Sequence, residues 1–529
     1  MNKEWIVSTP DPDQAECIGK GIKCHPITAG LLVNRGITDT NQAERFIRPS
    51  LSALRKPSLM QGISEAVERV IQAIAKHEWI LIFGDYDADG VTSTVLLLEF
   101  LKEAGANALH YIPDRFQEGY GLKINHIIKV AVPNNVRLII TVDCGINSVD
   151  AVKEAADRGI DVIITDHHEA PDTIPNAYAV IDPKHKKCSF PFSGLAGVGV
   201  ALFFVIALRS RLREKGVWQG ASGPNLKTAC DLVALGTIAD MAPLLEENRI
   251  LVKAGLEVLC SLPRPGIKAL MDISGIAKPE IEARDVAFML APRINAAGRL
   301  ANAESALKLL TAPNYDTALT FARFLDETNR KRQEIEKTVF REASKLLAIN
   351  PSLLQKRSIV VWGEGWNEGV IGIVASRLVS KYHRPVILIS VKNGTGKGSA
   401  RSIEGFNICE GLNDCSECLD SFGGHEFAAG LSLSSNRIKA FEDRFEKTVH
   451  RSTEETDFVP KIKIDCAIRF SEIDETLIDE IELFAPFGAG NPEPLFASYD
   501  VDVIDSQVVG RSHLRMTLKQ AGCTAKPFS

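Results

Sequence analysis

Two regions of the chain alternate short apolar runs with amphipathic segments. In the first, the runs WILIFG (79–84), VRLIITVD (136–143) and DVIITD (161–166) are separated by stretches of helical period. Strands buried on both faces of a parallel sheet read as continuous apolar runs, so this alternation predicts βαβ units. The same pattern returns between SIVVWGEG (358–365) and PVILIS (385–390), which predicts a second α/β domain.

The rest of the chain divides around these two regions. Residues 315–348 are charged and free of Gly and Pro, which predicts one long connecting helix, and the segments after 455 alternate with period two, which predicts a small β module. We therefore predict a multidomain α/β protein with a helical and loop segment at 1–55, a parallel-sheet domain at 56–260, a helical connector at 261–349, a second α/β domain at 350–452 and the β module at 455–529.

Composition limits the possible function classes only loosely. The 529 residues suit two to four domains, and 45% hydrophobic and 24% charged residues are ordinary globular values. The net charge of -6 does not indicate a nucleic-acid binder, but an acidic metal centre can coexist with a basic groove. The N-terminus lacks a signal-type core, no run is long enough to span a membrane, and the 11 cysteines are scattered. We expect reduced thiols in a cytoplasmic protein without membrane contact.

Acidic side chains and histidines gather where the predicted strands end. The stretch FGDYDADGVTS (83–93) places Asp85, Asp87 and Asp89 directly after a strand. Further candidates follow later apolar runs: Asp143, Asp166, His167, His168 and Asp240. Ligands bind beyond the carboxyl ends of such strands, and carboxylates with imidazole suit Mn²⁺ or Mg²⁺. We expect an extended backbone to turn the three aspartates to one side. A helix N-cap is the alternative for any single aspartate, but capping cannot use all three.

Short motifs in this order resemble a known family. DYDADG (85–90), VDCG (142–145), TDHHE (165–169) and GTIAD (236–240) are similar to the four motifs of the DHH phosphoesterases, and FGGHEFAAG (422–430) resembles the motif of the DHH-associated domain. APRINAAGRL (291–300) and FAPFGAGNPEPLF (484–496) narrow the resemblance to the RecJ family, whose members are single-strand-specific 5′→3′ DNA exonucleases of recombination and repair. The resemblance covers about residues 60–520.

The resemblance implies a centre of two Mn²⁺ or Mg²⁺ ions in the domain at 56–260. Asp85 and Asp87 would hold one ion, Asp143 would bridge, and Asp89, His167 and Asp240 would hold the other. Many family members have His at the position of Asp85, which makes that ligand a departure from the pattern. The catalytic residues would be Asp143, His167 and His168, the last of which would support the site or contact the scissile phosphate.

The resemblance also implies the residues that bind DNA. Arg115, Ser399 and Arg401 would grip the 5′-terminal phosphate, Arg293, Asn295 and Arg299 would line the path of the strand, and His425 would contact a phosphate near the metals. The alternatives from the residues alone are surface ion pairs for Arg115 and Arg401, helix packing for the 293–299 group and a buried core position for His425. A zinc site from Cys409, Cys415, Cys418 and His425 is a rival, but no second CxxC exists and residues 408–422 read as a helix.

The activity implied is hydrolysis of single-stranded DNA to 5′-mononucleotides. One alternative is a DHH-type phosphodiesterase on short RNA oligonucleotides or cyclic dinucleotides, and another is a non-catalytic DNA-binding scaffold. Implied partners are single-stranded DNA, a single-stranded-DNA-binding protein and a RecQ-type or other helicase, and the chain would be a monomer. The module at 455–529 would be an OB-like barrel, but such a barrel needs about five strands and only three or four are visible. We therefore expect an incomplete barrel with an exposed edge, from a truncated or frameshifted reading frame.

Overall fold

The computed structural model describes residues 3–218, 223–261, 263–510 and 513–525. The chain forms two compact units, one of Val7–Glu327 with Ile464–Ser529 and one of Met1–Ile6 with Thr328–Lys463. No helix in the described part of the chain is both long enough and apolar enough to cross a membrane.

The first unit is built on a parallel five-stranded sheet with the order β3-β2-β4-β5-β6. Alternate residues of each strand enter two separate apolar cores: Ile80 and Ile82 of β2 point to one, and Leu81 and Phe83 point to the other. This burial on both faces is the reason for the continuous apolar runs. The elements are α4 (Ile63–Ala75), β2 (Trp79–Gly84), α5 (Ala88–Glu103), β3 (Asn107–Tyr111), α6 (Ile124–His126), β4 (Val136–Val142), α7 (Val149–Asp157), β5 (Asp161–Thr165) and β6 (Ala179–Ile181).

A mainly helical layer follows and covers one face of this sheet. Its most buried members are α8 and α9, which are apolar on nearly every side and pack on α5. The helices are α8 (Gly197–Glu214), α9 (Cys230–Ala239), α10 (Glu246–Ser261), α11 (Pro265–Ser274), α12 (Ala283–Asp285), α13 (Ala291–Leu300) and α14 (Glu304–Leu310).

The N-terminal helices share a core with the C-terminal module. Ile18, Leu31, Leu32 and Phe46 surround the fully buried Phe484. The guanidinium of Arg249, itself buried, donates to the backbone carbonyls of residues 46, 483, 484 and 485 at 2.7–3.0 Å. The N-terminal elements are β1 (Glu4–Val7), α1 (Pro12–Ile22), α2 (Pro26–Asn34) and α3 (Thr40–Ile47).

The second unit holds a mixed sheet of order β10-β11-β9-β8-β7, in which only β7 and β8 are parallel. The predicted long helix is present as α15 (Tyr315–Ile349), whose residues from Thr328 onward belong to this unit. The remaining elements are β7 (Ile359–Glu364), α16 (Glu368–Tyr382), β8 (Val386–Lys392), β9 (Thr395–Arg401), α17 (Ile408–Asn413), β10 (Ser421–Gly424), β11 (Ala428–Ser434), α18 (Ile438–Ser452) and β12 (Lys461–Ile464), which pairs with β1.

The prediction of one helix over residues 408–422 is wrong. Helix α17 ends at Asn413, a single 3₁₀ turn covers Ser416–Cys418, and β10 begins at Ser421. The side chain of Cys415 packs in the core of the second unit and lies 3.9 Å from the hydroxyl of Thr448. A longer helix would also turn Cys415 inward, to the face of Ile408 and Leu412, but Ser421–Gly424 could not then pair with β11 in the sheet.

The C-terminal module contains an antiparallel sheet that does not close within the described residues. This sheet consists of β15 (Asp502–Val509), β16 (His513–Gln520) and β17 (Cys523–Ala525). A second, parallel pair is formed by β13 (Cys466–Ala467) and β14 (Phe496–Ala497), with α19 (Glu475–Glu482) between these two strands in sequence. At the edge strand β15, Val503, Ile504 and Val508 are 59%, 59% and 67% exposed. The predicted fold class, with an incomplete barrel and an exposed edge, is confirmed. The last residues of the tail, 526–529, lie outside the described residues.

Candidate metal centre

The acidic candidates converge at the switch point of the parallel sheet. Strand β2 connects to β3 on one side, and the next strand, β4, lies on the other side of β2, so a crevice opens beyond the ends of β2 and β4. Asp85 follows β2 and Asp143 follows β4. Both side chains are buried, at 5% and 2% exposure.

An extended backbone was expected to turn the three aspartates after β2 to one side, and that expectation is wrong. Strand β2 ends at Gly84, and Asp89 lies in the first turn of α5. Asp87 is the N-cap of that helix and accepts from the backbone N–H groups of Asp89 and Gly90. The sharp turn from strand to helix therefore brings the carboxylates together, and Asp87 combines the capping role with a place in the cluster.

Asp143 and His167 lie at the centre of the cluster. Asp143 has a left-handed backbone conformation, with φ of 59°, which aspartate tolerates better than most residues and which directs its carboxylate into the crevice. His167 Nε2 lies 3.0 Å from Asp143 Oδ1 and 3.9 Å from Asp89 Oδ2, while its Nδ1 lies 3.9 Å from Asp240 Oδ2.

Three groups of ligand atoms result, each with all its atoms within 4.8 Å of one another. They are Asp85 with Asp87 and Asp143, Asp89 with His167 and Asp240, and Asp143 with His167 and His168. All six residues expected to bind metal thus lie in one cluster, and Asp143 belongs to two of its groups. Their individual roles stay predictions.

Without cations, the surroundings of the cluster disfavour negative charge on its carboxyl groups. Burial, and then the charges of neighbouring carboxylates, raise the pKa of Asp85, Asp89 and Asp143 well above the usual value. The same two causes raise the pKa of Asp240 to about 7. Burial, and then the charge of His168, lower the pKa of His167 to about 3, so its imidazole is neutral and able to ligate metal.

The donor set fits divalent cations. Asp85 Oδ1, Asp143 Oδ1 and His167 Nε2 are buried and make no well-aligned hydrogen bond among the described residues, although Nε2 and Asp143 Oδ1 lie 3.0 Å apart. Buried polar atoms are normally paired, so unpaired atoms that face one crevice indicate a missing partner. Oxygen-rich ligands with one imidazole are the type that Mn²⁺ and Mg²⁺ prefer.

A second group of polar residues orients His168. Asp166 is fully buried and accepts from the backbone N–H groups of Ile146, His167 and His168 as well as from His168 Nδ1 at 2.7 Å. Burial opposes a charge on His168, but the hydrogen bond and the charge of Asp166 outweigh it and raise the pKa of His168 to about 9. His168 is therefore a cation at neutral pH, next to the carboxylates. The hydroxyl of Tyr120 also lies 3.1 Å from His168 Nδ1.

A cavity of about 300 Å³ opens beside the carboxylates, and three of the residues expected to contact DNA line it: Arg115, Asn295 and Arg299. The guanidinium of Arg115 lies over the ring of Tyr86, 5.1 Å from its centroid. Asn295 Oδ1 accepts from the N–H of Ala88 at 2.8 Å and so ties α13 to the start of α5. The cavity is therefore lined by both carboxylates and arginines.

Arg293 has a different environment from its neighbours on α13. Its Nε donates to Asp326 on α15 at 2.8 Å, and its Nη1 donates to the carbonyl of Met289. These contacts are those of the helix-packing alternative.

The remaining candidates lie in the second unit. Arg401 Nη1 donates to Ser399 Oγ at 3.0 Å on β9, and both side chains face the first turns of α16: a Cβ built on Gly372 would lie 2.9 Å from each. Gly372 thus leaves open the space between these two side chains and the start of the helix. An arginine and a hydroxyl next to a helix start suit an anion. His425 is exposed in the turn between β10 and β11, so the buried-core alternative for it is wrong.

Several residues of the site were not predicted from the sequence. Gly197 at the start of α8 is one, because a Cβ there would lie 2.7 Å from the side chain of Asp143, while its N–H donates to Asp89. Asp182 is another: it follows β6, is fully buried, and has its pKa raised to about 7, chiefly by burial. The rule that found the other strand-end aspartates would also have found Asp182. Nothing in the sequence distinguishes Gly197 or Tyr120.

The fold and the cluster of candidate ligands are those of the DHH class of proteins. The model of the DHH family N-terminal domain matches residues 79–237, that of the DHHA1 domain matches 355–451, and that of the RecJ OB domain matches 464–528. The chain is 38% identical to the single-stranded-DNA-specific exonuclease RecJ of Bacillus subtilis over 519 residues and 36% identical to that of Haemophilus influenzae over 518. These alignments cover 97% and 96% of the chain.

Solved structures agree with this assignment. The crystal structure of Thermus thermophilus RecJ in complex with Mn²⁺ matches with a TM-score of 0.84 and 30% identity, and the match covers 99% of this chain and 74% of that one. The chain belongs to the RecJ family, as the resemblance predicted. It spans 64% of the length of the Bacillus subtilis protein and 89% of that of the Haemophilus influenzae protein.

Proposed function

We propose that the chain is a metal-dependent 5′→3′ exonuclease that hydrolyses single-stranded DNA and releases 5′-mononucleotides. The observation that carries this proposal is one cavity lined both by the carboxylates of Asp85, Asp87 and Asp240 and by Arg115 and Arg299. A phosphodiester needs both: cations held by the carboxylates and a cationic wall for its own negative charge. The relatives named as single-stranded-DNA-specific exonucleases support the same substrate.

The proposed cofactor is a pair of Mn²⁺ or Mg²⁺ ions, the metals present in solved RecJ structures. Asp85, Asp87 and Asp143 would hold one ion, and Asp89, His167 and Asp240 would share the other with Asp143. When bound, such ions polarise the phosphodiester and activate water for in-line attack.

The protein groups around the cluster position the substrate. Arg115 and Arg299 would hold the phosphates of the strand, and the cationic His168 would donate to the scissile phosphate. Asp166 fixes the orientation and charge of His168 through its hydrogen bond. In the second unit, Ser399 and Arg401 would bind the 5′-terminal phosphate, and the exposed His425 would contact another phosphate.

The two other readings lack support in the structure. A non-catalytic scaffold would not need six buried or half-buried ligands in one cluster. A phosphodiesterase for cyclic dinucleotides or short RNA would not need a C-terminal sheet of OB type. We also propose that the chain acts as a monomer together with a single-stranded-DNA-binding protein and a RecQ-type or other helicase, because a single-strand nuclease needs a source of unwound DNA.

The test is release of mononucleotides from a 5′-phosphorylated single strand in the presence of Mn²⁺. Parallel reactions contain blunt duplex, an RNA of the same sequence and a cyclic dinucleotide, and a chelator control removes the metal. We expect rapid hydrolysis of the single-stranded DNA alone. Preferential hydrolysis of the RNA or the dinucleotide would contradict the proposal, and no hydrolysis of any substrate would favour the scaffold reading.

A further inference from the structure

The loop that follows the metal-ligand candidate Asp240 is held by the C-terminal module. Helix α9 ends at Ala239, and the N–H groups of Asp240 and Met241 close it on the carbonyls of residues 236 and 238. Three residues further on, the N–H of Leu244 donates to the carbonyl of Ala489 at 2.7 Å. The chain on the far side of Asp240 is thus attached to residue 489 as well as to the parallel-sheet domain, where Ala242 and Leu244 enter the core and Asn248 donates to the carbonyls of both Gly194 and Pro243.

Residues 484–491, which we call the docking segment, have a fixed backbone. Asn491 is fully buried; its Nδ2 donates to the carbonyls of Phe484 and Pro486 at 2.8 and 2.9 Å, and its Oδ1 accepts from Arg35 Nε at 2.9 Å. Arg249 holds the beginning of the segment through the carbonyls of Phe484 and Ala485. A segment restrained at both ends can hold a loop in place.

The contact between the segment and the loop leaves no room for a methyl group. A Cβ on Gly488 would lie 2.7 Å from Leu244 Cδ1, and one on Gly490 would lie 2.9 Å from Pro243 Cβ. Contacts below 3.0 Å force a shift of one partner. The atoms met belong to side chains of the Asp240 loop, and Leu244 has little room to turn away because it is 2% exposed and packed in the core.

We propose that the docking segment is a positioning element for Asp240, so that a part of the C-terminal module sets the metal affinity of the catalytic cluster. The inference rests on the proposed role of Asp240 as a ligand and adds what determines its position. Groups that orient a metal ligand from behind typically change metal affinity by roughly 10–100-fold when they are altered.

The test is calorimetric titration of the full chain with Mn²⁺, which measures binding without DNA or turnover. Asp240→Asn first identifies the binding event that belongs to Asp240, because that event alone should weaken strongly. A four-protein cycle then compares wild type, Gly488→Ala, Leu244→Val and the double variant. Leu244→Val removes one carbon at the point where Gly488→Ala adds one, so the double variant keeps the volume.

We expect Gly488→Ala to weaken the Asp240 event about tenfold and to leave the other event unchanged. Leu244→Val alone should bind Mn²⁺ like wild type, and the double variant should regain the wild-type affinity. General loosening of the protein would instead weaken both events, would not be rescued, and would overturn the inference. Wild-type Mn²⁺ affinity in a folded Gly488→Ala protein would also overturn it.

A second pair of variants serves if Gly488→Ala does not fold. Gly490→Ala and Gly275→Ala both place alanine at left-handed positions, with φ of 71° and 79°, but nothing lies within 4 Å of a Cβ on Gly275. The inference is supported if Mn²⁺ binding is weaker in Gly490→Ala but not in Gly275→Ala. It is refuted if the two variants change Mn²⁺ affinity equally. Absence of any Asp240-dependent event in wild type would refute the metal assignment itself, which separates the two failures.

Discussion

Replacement of Asp143 by Asn should have opposite effects on the protein with and without metal. Asn keeps the shape and tolerates the left-handed backbone of this residue, whereas Ala would add strain. The ligand atoms of Asp85, Asp87 and Asp143 lie within 4.8 Å of one another. Two unit charges at this distance repel by about 3.5 kcal/mol at an effective dielectric constant of 20.

The full repulsion is not expected in the measured stability. Burial and the neighbouring carboxylates raise the pKa of Asp143, so the folded protein avoids part of the repulsion by keeping protons. Each unit by which the pKa of a carboxyl is raised corresponds to a free-energy difference of about 1.4 kcal/mol between its charged and neutral forms. We therefore expect Asp143→Asn to stabilise the metal-free protein at pH 8 by roughly 1–3 kcal/mol, which is less than the sum of the repulsions.

The assay is denaturant unfolding of wild type and Asp143→Asn at pH 8, with chelator and with saturating Mn²⁺. With chelator the variant should unfold at higher denaturant concentration. With Mn²⁺ the wild type should gain stability through metal binding, while the variant should gain little and should not hydrolyse single-stranded DNA. A variant that loses stability in chelator, or that keeps the full gain from Mn²⁺, would refute the shared position of Asp143.

Three further predictions concern the residues around the cluster. Arg401→Ala should reduce the preference for a 5′-phosphate over a 5′-hydroxyl about tenfold or more, while Arg437→Ala, a surface control in the same unit, should not; competition between the two DNAs measures the ratio. Because the pKa of Asp240 is raised to about 7 and that of Asp89 is raised as well, a cation must displace their protons at lower pH, so Mn²⁺ affinity should fall by at least about tenfold per unit below pH 7 in titrations; a flat profile contradicts this. Asp166→Asn should lower the pKa of His168 from about 9, so hydrolysis should fall more at pH 8 than at pH 6. An unchanged titration of the His168 imidazole by NMR would contradict this role of Asp166.

The strands and their chemistry could be predicted because both depend on local sequence. A strand buried on two faces must be apolar along its whole length, and functional side chains follow its carboxyl end, so the runs at 79–84, 136–143 and 161–166 located both the sheet and the acidic cluster. The backbone at Asp85–Asp89 was less predictable. Three alternating aspartates fit an extended chain and a strand-to-helix turn equally well, and only the cap made by Asp87 decides between them.

Contacts between distant parts of the chain could not be predicted from one sequence. Arg249 lies on an amphipathic helix and reads as a surface residue, yet it is buried and donates to carbonyls more than 200 residues away on either side. The motif at 484–496 was useful only as a resemblance, because its glycines and Asn491 gain meaning through the loop that they touch. Arg293 and Arg299 lie six residues apart on one helix, and periodicity did not show that only Arg299 lines the cavity.

The core shared by the N-terminal helices and Phe484 has a consequence for the order of synthesis. Ile18, Leu31 and Leu32 leave the ribosome early, but their partner in this core is translated about 440 residues after α3. At roughly 5–20 residues per second, the apolar faces of α1 and α2 wait about 20–90 seconds without it. Nascent chains that stop before residue 480 should therefore be cut by protease within α1–α3, and those N-terminal helices should need a chaperone until translation has passed Phe484.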